Sequence, residues 1–415
     1  MDFKSIIKEQ REELERIEDQ ENIIPREKFD EAKKALPSPN VLAILGIRRC
    51  GKSIFSYLLA KGNTLGYINF DDERLIEIKN DDFDKILESF YELYGDVEYI
   101  ILDEIQNIKN WELFVNRLRR TKKVILTGSN SKLLSGELST HLTGRYLDLE
   151  LFPFSFREFL LTKKFKEAKA YTTREKAELI KYVNEYLQIG GFPEAYKFGK
   201  AIISRIYEDI VTKDILLRYD ITKKEELKKL AQYLITNSSQ EASFSKIAKF
   251  LGVKHVSTLS NWVSYLEQAF LIFRIERFDY KLKQQFISPK KIYCIDTGIV
   301  NSVSFSFTEN KGRMIENAVA IELQRRRSRF SKVYYWKDYQ QNEVDFIIKN
   351  EKKIEELIQV TYASTKEDIK ERELHALNKA SKELKCKKSI IITWDYETTE
   401  NNVMFIPLWK WLLQA

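Results

Sequence analysis

Residues 46–53 read Gly-Ile-Arg-Arg-Cys-Gly-Lys-Ser, a spacing of glycine, lysine and hydroxyl that suits the cradling of a phosphate chain. Gly46 and Gly51 let the backbone curl until successive N–H groups point at phosphate oxygens, and the helix that opens at Ile54 adds its positive end. Lys52 can reach the β- and γ-phosphates, and the Ser53 hydroxyl can sit on Mg²⁺. Cys50 reads as a small residue in a loop whose backbone does the binding, while the side chains of Arg48 and Arg49 could as easily contact the protein. A second constellation follows at Tyr99-Ile-Ile-Leu-Asp103-Glu104, an apolar strand ending in two carboxylates. Asp103 is placed to hold Mg²⁺ and Glu104 to polarise an attacking water. Next comes Val124-Ile-Leu-Thr-Gly-Ser-Asn130, where Asn130 is the first choice to orient that water, with Ser129 and Thr127 as alternates.

These groups need a scaffold that brings several strand ends to one edge. Apolar runs at 41–45, 65–70, 99–102, 124–126 and 146–151 alternate with helical periodicity, such as Phe83, Ile86, Leu87, Phe90, Tyr91 and Tyr94 on one face. The alternation predicts an α/β fold with a parallel sheet covered on both sides by helices. Residues 4–21 carry mostly charge around Ile6, Ile7, Leu14 and Ile17 and read as an exposed helix. Residues 155–237 lack strand signals and read as a helical subdomain packed on the first.

Farther along, Phe244–Leu251, the turn Gly252–His255 and Val256–Phe270 form a helix–turn–helix pattern. The second helix buries Val256, Leu259, Val263, Leu266 and Phe270, followed by a strand at 271–275 and a hairpin wing at 277–283. Residues 236–291 hold nine Lys or Arg against four Asp or Glu, most of the chain's net +7. That balance favours phosphate contacts, and Lys254, Ser257, Thr258 and Asn261 are candidate DNA contacts. A protein-docking role for the same module stays open.

The phosphate loop, Leu-Asp-Glu-Ile-Gln at 102–106, Thr127–Asn130, and Leu142-Thr-Gly-Arg145 followed by Phe152-Pro-Phe-Ser-Phe-Arg-Glu-Phe159 together resemble the archaeal-type AAA+ ATPases. The resemblance implies ATP as nucleotide, a sheet order 5-1-4-3-2, and assembly into homo-oligomeric rings or arcs. It also implies a winged helix and a C-terminal restriction-endonuclease-like domain after the ATPase. Arg145 then takes the place of the arginine that reaches a neighbouring subunit's γ-phosphate. Arg205 and Arg218 are candidates for a lid arginine.

The region after Pro289 is similar to the PD-(D/E)XK nuclease core, in which a helix Glu, a strand Asp and an acid-x-Lys on the next strand bind metal. Glu316 and Asp345 match, whereas Gln359-Val360-Thr361 stands where the carboxylate and lysine belong, and Glu355 and Glu356 lie upstream. A vestigial, inactive nuclease-like fold is expected, aided in binding by the basic run 325–329.

The resulting division is 1–40 N-terminal helical segment, 41–152 ATPase core, 153–235 helical lid, 236–288 winged helix and 289–415 nuclease-like domain. Three scattered cysteines and three histidines argue against disulfides and zinc. No apolar run reaches 18 residues, so a cytoplasmic protein without membrane contact is expected. The leading expectation is an oligomeric ATPase acting on duplex or branched DNA. The alternatives are a nucleotide-gated signalling or defence switch docking a protein partner, and an ATP-dependent nuclease.

Overall fold

Five strands of the N-terminal part, β1 (Val41–Leu45), β2 (Leu65–Asn69), β3 (Tyr99–Asp103), β4 (Lys123–Gly128) and β5 (Tyr146–Glu150), pair in the order β2-β3-β4-β1-β5, every pair parallel. This is the order 5-1-4-3-2 read from the other edge, the parallel sheet of a P-loop AAA+ domain. A computed structural model describes residues 2–133, 142–304 and 311–414. The chain divides into two units, the first of residues 1–153 with 268–270 and the second of 154–267 with 271–415.

β1 and β3 are buried at every position, which is why they read as continuous apolar runs rather than alternating ones. Their layer is closed by Phe83, Ile86 and Phe90 of helix Asp82–Tyr94 and by Trp111, Phe114 and Val115 of helix Trp111–Leu118. Each such side chain removed from water contributes roughly 1.5–3 kcal/mol. Helix Phe3–Gln20 corrects the expectation of an exposed helix, since Phe3, Ile6 and Ile7 join this core and Leu14 is buried as well. Its polar residues have a task as well. Gln10 exchanges two hydrogen bonds with the backbone of Asn69 (2.8 and 3.1 Å), and Arg11 donates to the Leu65 carbonyl (2.9 Å). Both lie on β2, the edge strand, so the helix shields an edge that would otherwise be free to pair.

The second unit holds a nine-stranded mixed sheet. Its strands are β6 (Gln240–Ala242), β7 (Ile272–Arg277), β8 (Lys290–Cys294), β9 (Ser331–Lys337), β10 (Glu343–Asn350), β11 (Lys353–Val360), β12 (Ser389–Thr393), β13 (Thr398–Glu400) and β14 (Val403–Pro407). They run in the order β13-β14-β12-β11-β10-β9-β7-β8-β6. Helices Phe156–Thr162 and Thr173–Ile189 bury Phe156, Phe159, Leu179 and Val183 in one core with Ile315, Val319, Trp409 and Trp411. The helical segment 155–237 therefore shares its core with this sheet instead of forming a subdomain of its own on the first unit.

The helix–turn–helix is present as Phe244–Phe250 and Val256–Gln268, but three details depart from expectation. Val256 is 45% exposed, and Trp262 fills the buried face along with Leu259, Val263 and Leu266. The hairpin is β7 with β8, and the span read as a wing leads into a short helix, Leu282–Ile287. β7 also pairs in parallel with β9, at Glu276 with Tyr334 and Arg277 with Tyr335. A boundary at 288/289 thus falls inside a hairpin of a continuous sheet, because the β-branched and aromatic strands 272–277 and 331–337 pair across it.

Candidate active site

The phosphate loop joins β1 to helix Lys52–Ala60, and its two glycines are required by the backbone. A Cβ on Gly46 would stand 2.1 Å from the Leu151 carbonyl oxygen, and Gly51 has φ 98°. Arg49, with φ 65°, shares the left-handed region, and such strain at a non-glycine persists only where the surroundings over-determine it. Arg26 braces the loop from outside, donating to the carbonyls of Cys50 (2.9 Å) and Phe152 (2.5 Å). Arg48 turns to Asp71 (2.9 Å), so its side chain contacts the protein. The Cys50 thiol is buried against the Leu151 carbonyl (3.2 Å), and burial pushes its pKa up, which makes it a packing group rather than a nucleophile.

Lys52 is 4% exposed. Its ammonium donates to the Ile47 carbonyl (3.1 Å) and stands 3.3 Å from Glu104 Oε1. Burial alone would lower its pKa, but Glu104, Cys50 and Asp103 together outweigh it, so the pKa is raised and the group stays charged. Glu104 occupies the left-handed region at φ 51° just past β3. Burial would raise its pKa, yet Lys52, then Arg48, and hydrogen bonds from Gln106 and Ser129 hold it down at about 2. Its Oε2 accepts from the Ser129 N–H (3.1 Å), the Ser129 hydroxyl (2.8 Å) and the Gln106 amide.

Asp103 is fully buried, and burial followed by repulsion from Glu104 raises its pKa. It accepts hydrogen bonds from Tyr67 (2.6 Å), Thr127 and Ser53. The Ser53 hydroxyl from the first turn of the helix after β1 and the Asp103 carboxylate from the end of β3, held together beside a buried lysine, are the oxygen donors Mg²⁺ takes alongside phosphate. The residues present fit Mg²⁺ and a polyphosphate.

The structure thus brings Gly46, Cys50, Gly51, Lys52, Ser53, Asp103 and Glu104 to one edge of the sheet. Ile54 follows in the first turn of the helix. Of the three candidates at the end of β4, Ser129 and Thr127 bond the carboxylates directly. Asn130, 1% exposed, uses Oδ1 to accept from the Lys132 N–H (2.8 Å). Arg145 lies elsewhere. It is exposed, and its carbonyl accepts from Val41 N–H at the start of β1, the end opposite the phosphate loop. Five residues at about 3.3 Å each separate the two ends, so Arg145 cannot serve its own loop. Arg26 and Gln106 escaped sequence reasoning. The signal for Gln106 was present in the 102–106 run, and Gly128 leaves it room, since a Cβ there would meet Gln106 Oε1 at 2.9 Å.

The carboxylate cluster around Glu316 and Asp345 is closed from within. Lys291 of β8, 3% exposed in its side chain, places its ammonium 2.6 Å from Glu343, 2.9 Å from Glu316 and 3.1 Å from Asp345. Gln359 and the Val360 N–H bond Asp345 (2.7 and 3.0 Å), and Tyr293 bonds Glu316 (2.8 Å). A lysine ammonium occupies the place among the carboxylates that a nuclease metal would take, so the residues present do not fit that metal. Lys291 belongs to the basic excess of 236–291 but is not on the surface. The basic run at 325–329 is likewise partly internal, with Arg325 and Arg326 both paired to Glu322.

Replacing Lys291 by methionine takes the lysine from Glu316 and Asp345, while Glu343 keeps Lys337 at 3.2 Å. The expected loss is about 3 kcal/mol of unfolding free energy at pH 8 by denaturant titration. Glu316 already sits near 7 because burial, then Asp345, resists its ionisation. Protonation therefore relieves the variant as pH falls, and its deficit shrinks at pH 5.5.

Ser257 and Asn261 are exposed and Thr258 is half-buried on helix Val256–Gln268, on the side away from Leu259 and Val263, and exposed Lys254 lies in the turn before it. Among the described residues no helix is long and apolar enough to cross a membrane.

A family model described as an AAA domain matches residues 38–160. Two models described as domains of unknown function, DUF8612 and DUF4143, match 180–310 and 311–411. An uncharacterized protein of Methanocaldococcus jannaschii is 38% identical over 405 residues, covering 92% of this chain and 89% of its own. A Haemophilus influenzae protein is 30% identical over 398 residues, covering 90% and 94%. Among solved structures, a Walker-type ATPase of Pyrococcus abyssi aligns with a TM-score of 0.44 at 14% identity, over 68% of this chain and 97% of that one.

Proposed function

The chain belongs to one family with the Methanocaldococcus jannaschii and Haemophilus influenzae proteins, and on that premise we propose that it is an ATP hydrolase of AAA+ type, working as a homo-oligomer on DNA. The observation that carries the ATPase half is the buried Lys52–Glu104 pair beside Ser53 and Asp103. When ATP enters the loop 46–54, Lys52 exchanges Glu104 for β- and γ-phosphate oxygens. Ser53 and Asp103 would hold Mg²⁺, which would supply positive charge beside the phosphates. Glu104, released from Lys52, takes a proton from the attacking water, while Ser129 and Asn130 orient carboxylate and water. Arg145, remote from its own loop, acts on a neighbouring subunit, which makes the active enzyme an oligomer.

The DNA half rests on the exposed face Lys254, Ser257, Thr258 and Asn261, joined by exposed Lys246 and Lys249 on the preceding helix. The part 289–415 serves binding rather than hydrolysis, because Lys291 fills the carboxylate cluster. ATP turnover measured with single-stranded, duplex and branched DNA tests the reading. A severalfold stimulation that declines steeply with salt is expected, and neither stimulation nor binding at low salt would refute the DNA half.

A second reading, a nucleotide-gated switch docking a protein, is favoured by one observation. Tyr280, Leu282, Phe286 and Ile287 around the short helix after β7 are each at least 66% exposed. A cluster of large apolar groups in water marks a protein contact more readily than a phosphate contact.

A further inference from the structure

The second unit contains a cavity of about 220 Å³ among helices Thr173–Ile189, Thr297–Val303 and Lys311–Arg326, walled also by the chain after helix Lys224–Thr236. Three buried hydroxyl oxygens on its wall, those of Thr236, Ser238 and Ser304, have no hydrogen-bond partner. An unmade bond of this kind is destabilising, and buried polar groups in folded proteins are nearly always paired. Ser238 is only 3% exposed, so bulk solvent does not satisfy it. Three such groups around one space point to something that belongs inside it.

Charge and shape narrow what that is. Among the described residues the wall carries Lys311 and Arg313 and no Asp or Glu. Both cations face neutral partners. Lys311 bonds the Tyr362 hydroxyl (3.2 Å), and Arg313 faces the amide oxygen of Gln240 in the orientation that satisfies both. The remaining wall is apolar and aromatic, with Tyr362 and Trp394 ring centroids 5.4 Å apart. A wall with cations and hydroxyls but no carboxylate selects an anion over a zwitterion or an amine, and the ring pair selects a flat body. Size sets the limit, because a cavity of about 150 Å³ takes a benzene ring. The space here admits one ring and an acidic substituent.

We propose that this cavity is a binding site for a small monocyclic aromatic acid, its anionic group on Lys311 and Arg313, its ring beside Tyr362 and Trp394, and its polar edge on Thr236, Ser238 and Ser304. The site lies wholly in the second unit, apart from the phosphate loop, and would give the chain a ligand input distinct from nucleotide.

The test uses the full chain without nucleotide, so its failure leaves the ATPase reading untouched. Calorimetric titration with 4-hydroxybenzoate and with orotate is expected to show one site per chain for at least one of them, and none for phenol or benzylamine. Arg313→Ala should weaken binding at least tenfold. Ser238→Ala supplies the second readout. The variant should unfold at the same temperature as the parent or higher, since it loses an unpaired hydroxyl, and yet bind the acid severalfold more weakly. If neither acid binds up to millimolar concentration, or if phenol binds equally well, or if Arg313→Ala leaves affinity unchanged, the cavity holds water or an uncharged group and the proposal falls.

Discussion

Lys52→Ala is expected to abolish ATP binding, with affinity falling at least a hundredfold, about 2.7 kcal/mol. Lys52 has no free path to the phosphates other than the one its burial defines. It is anchored between the Ile47 carbonyl and Glu104, so its ammonium is already desolvated and oriented before nucleotide arrives. A charge-assisted bond from such a group loses little further entropy on binding. The substitution does second damage, because Lys52 is the foremost charge that keeps Glu104 near a pKa of about 2. A carboxylate depressed from its ordinary 4.5 contributes stability above that value and loses it as pH falls toward 2. Without Lys52 the folded pKa rises and the contribution shrinks, on the order of 3 kcal/mol for the full shift. Two measurements check this. Titration with a fluorescent ATP analogue should show no saturation, and thermal unfolding at pH 7 should show a lower midpoint than the parent. Affinity within threefold of the parent would remove Lys52 from the phosphate site.

How much of this was legible in the sequence follows from how local each feature is. The phosphate loop lies in eight consecutive residues between a strand and a helix, and Asp103 and Glu104 end a strand of five, so their types and spacing carried the site. The parallel sheet followed from uninterrupted apolar runs, whose order the resemblance supplied and the pairings of β1 with β4 and β5 bear out. Helix Phe3–Gln20 was misread because its charges outnumber its apolar residues. The stripe Phe3, Ile6, Ile7, Leu14 was visible, but the use of Gln10 and Arg11 against β2 depended on a strand more than 50 residues away.

The lysine among the carboxylates was beyond any local reading. Lys291 comes from β8, Glu316 from helix Lys311–Arg326, and Glu343 and Asp345 from β10, at separations of 25 to 54 residues. Linear charge counting placed Lys291 in a DNA-facing patch, whereas register placed it inside, at the Glu241–Lys291 pairing of β6 with β8. A count of basic residues cannot distinguish a charge that meets phosphate from one that has already met carboxylate. The same limit applies to the cavity, since hydroxyls at 236, 238 and 304 are unremarkable in sequence and informative only as unpaired neighbours.

Glu104→Gln should move two quantities in opposite directions, and this is what separates a base from a brace. Turnover is expected to fall by about 10²- to 10⁴-fold, the usual contribution of a positioned general base. ATP affinity is expected to rise, by up to about tenfold or 1.4 kcal/mol. The rise follows from the ground state, where the Glu104 carboxylate competes with the phosphates for Lys52 at 3.3 Å. An amide cannot hold an ammonium as a carboxylate does, so Lys52 meets less opposition on its way to the nucleotide. The substituted side chain keeps its volume, and its amide oxygen can still accept from the Ser129 N–H, so the left-handed turn at 104 retains its anchor. Single-turnover hydrolysis and equilibrium binding on the same preparation report both quantities. A variant that lost affinity and turnover together would mark Glu104 as a support for the loop. One that hydrolysed ATP at the parental rate would show that the proton leaves the water by another group, and the hydrogen bonds of Ser129 and Gln106 to Glu104 would then serve packing alone.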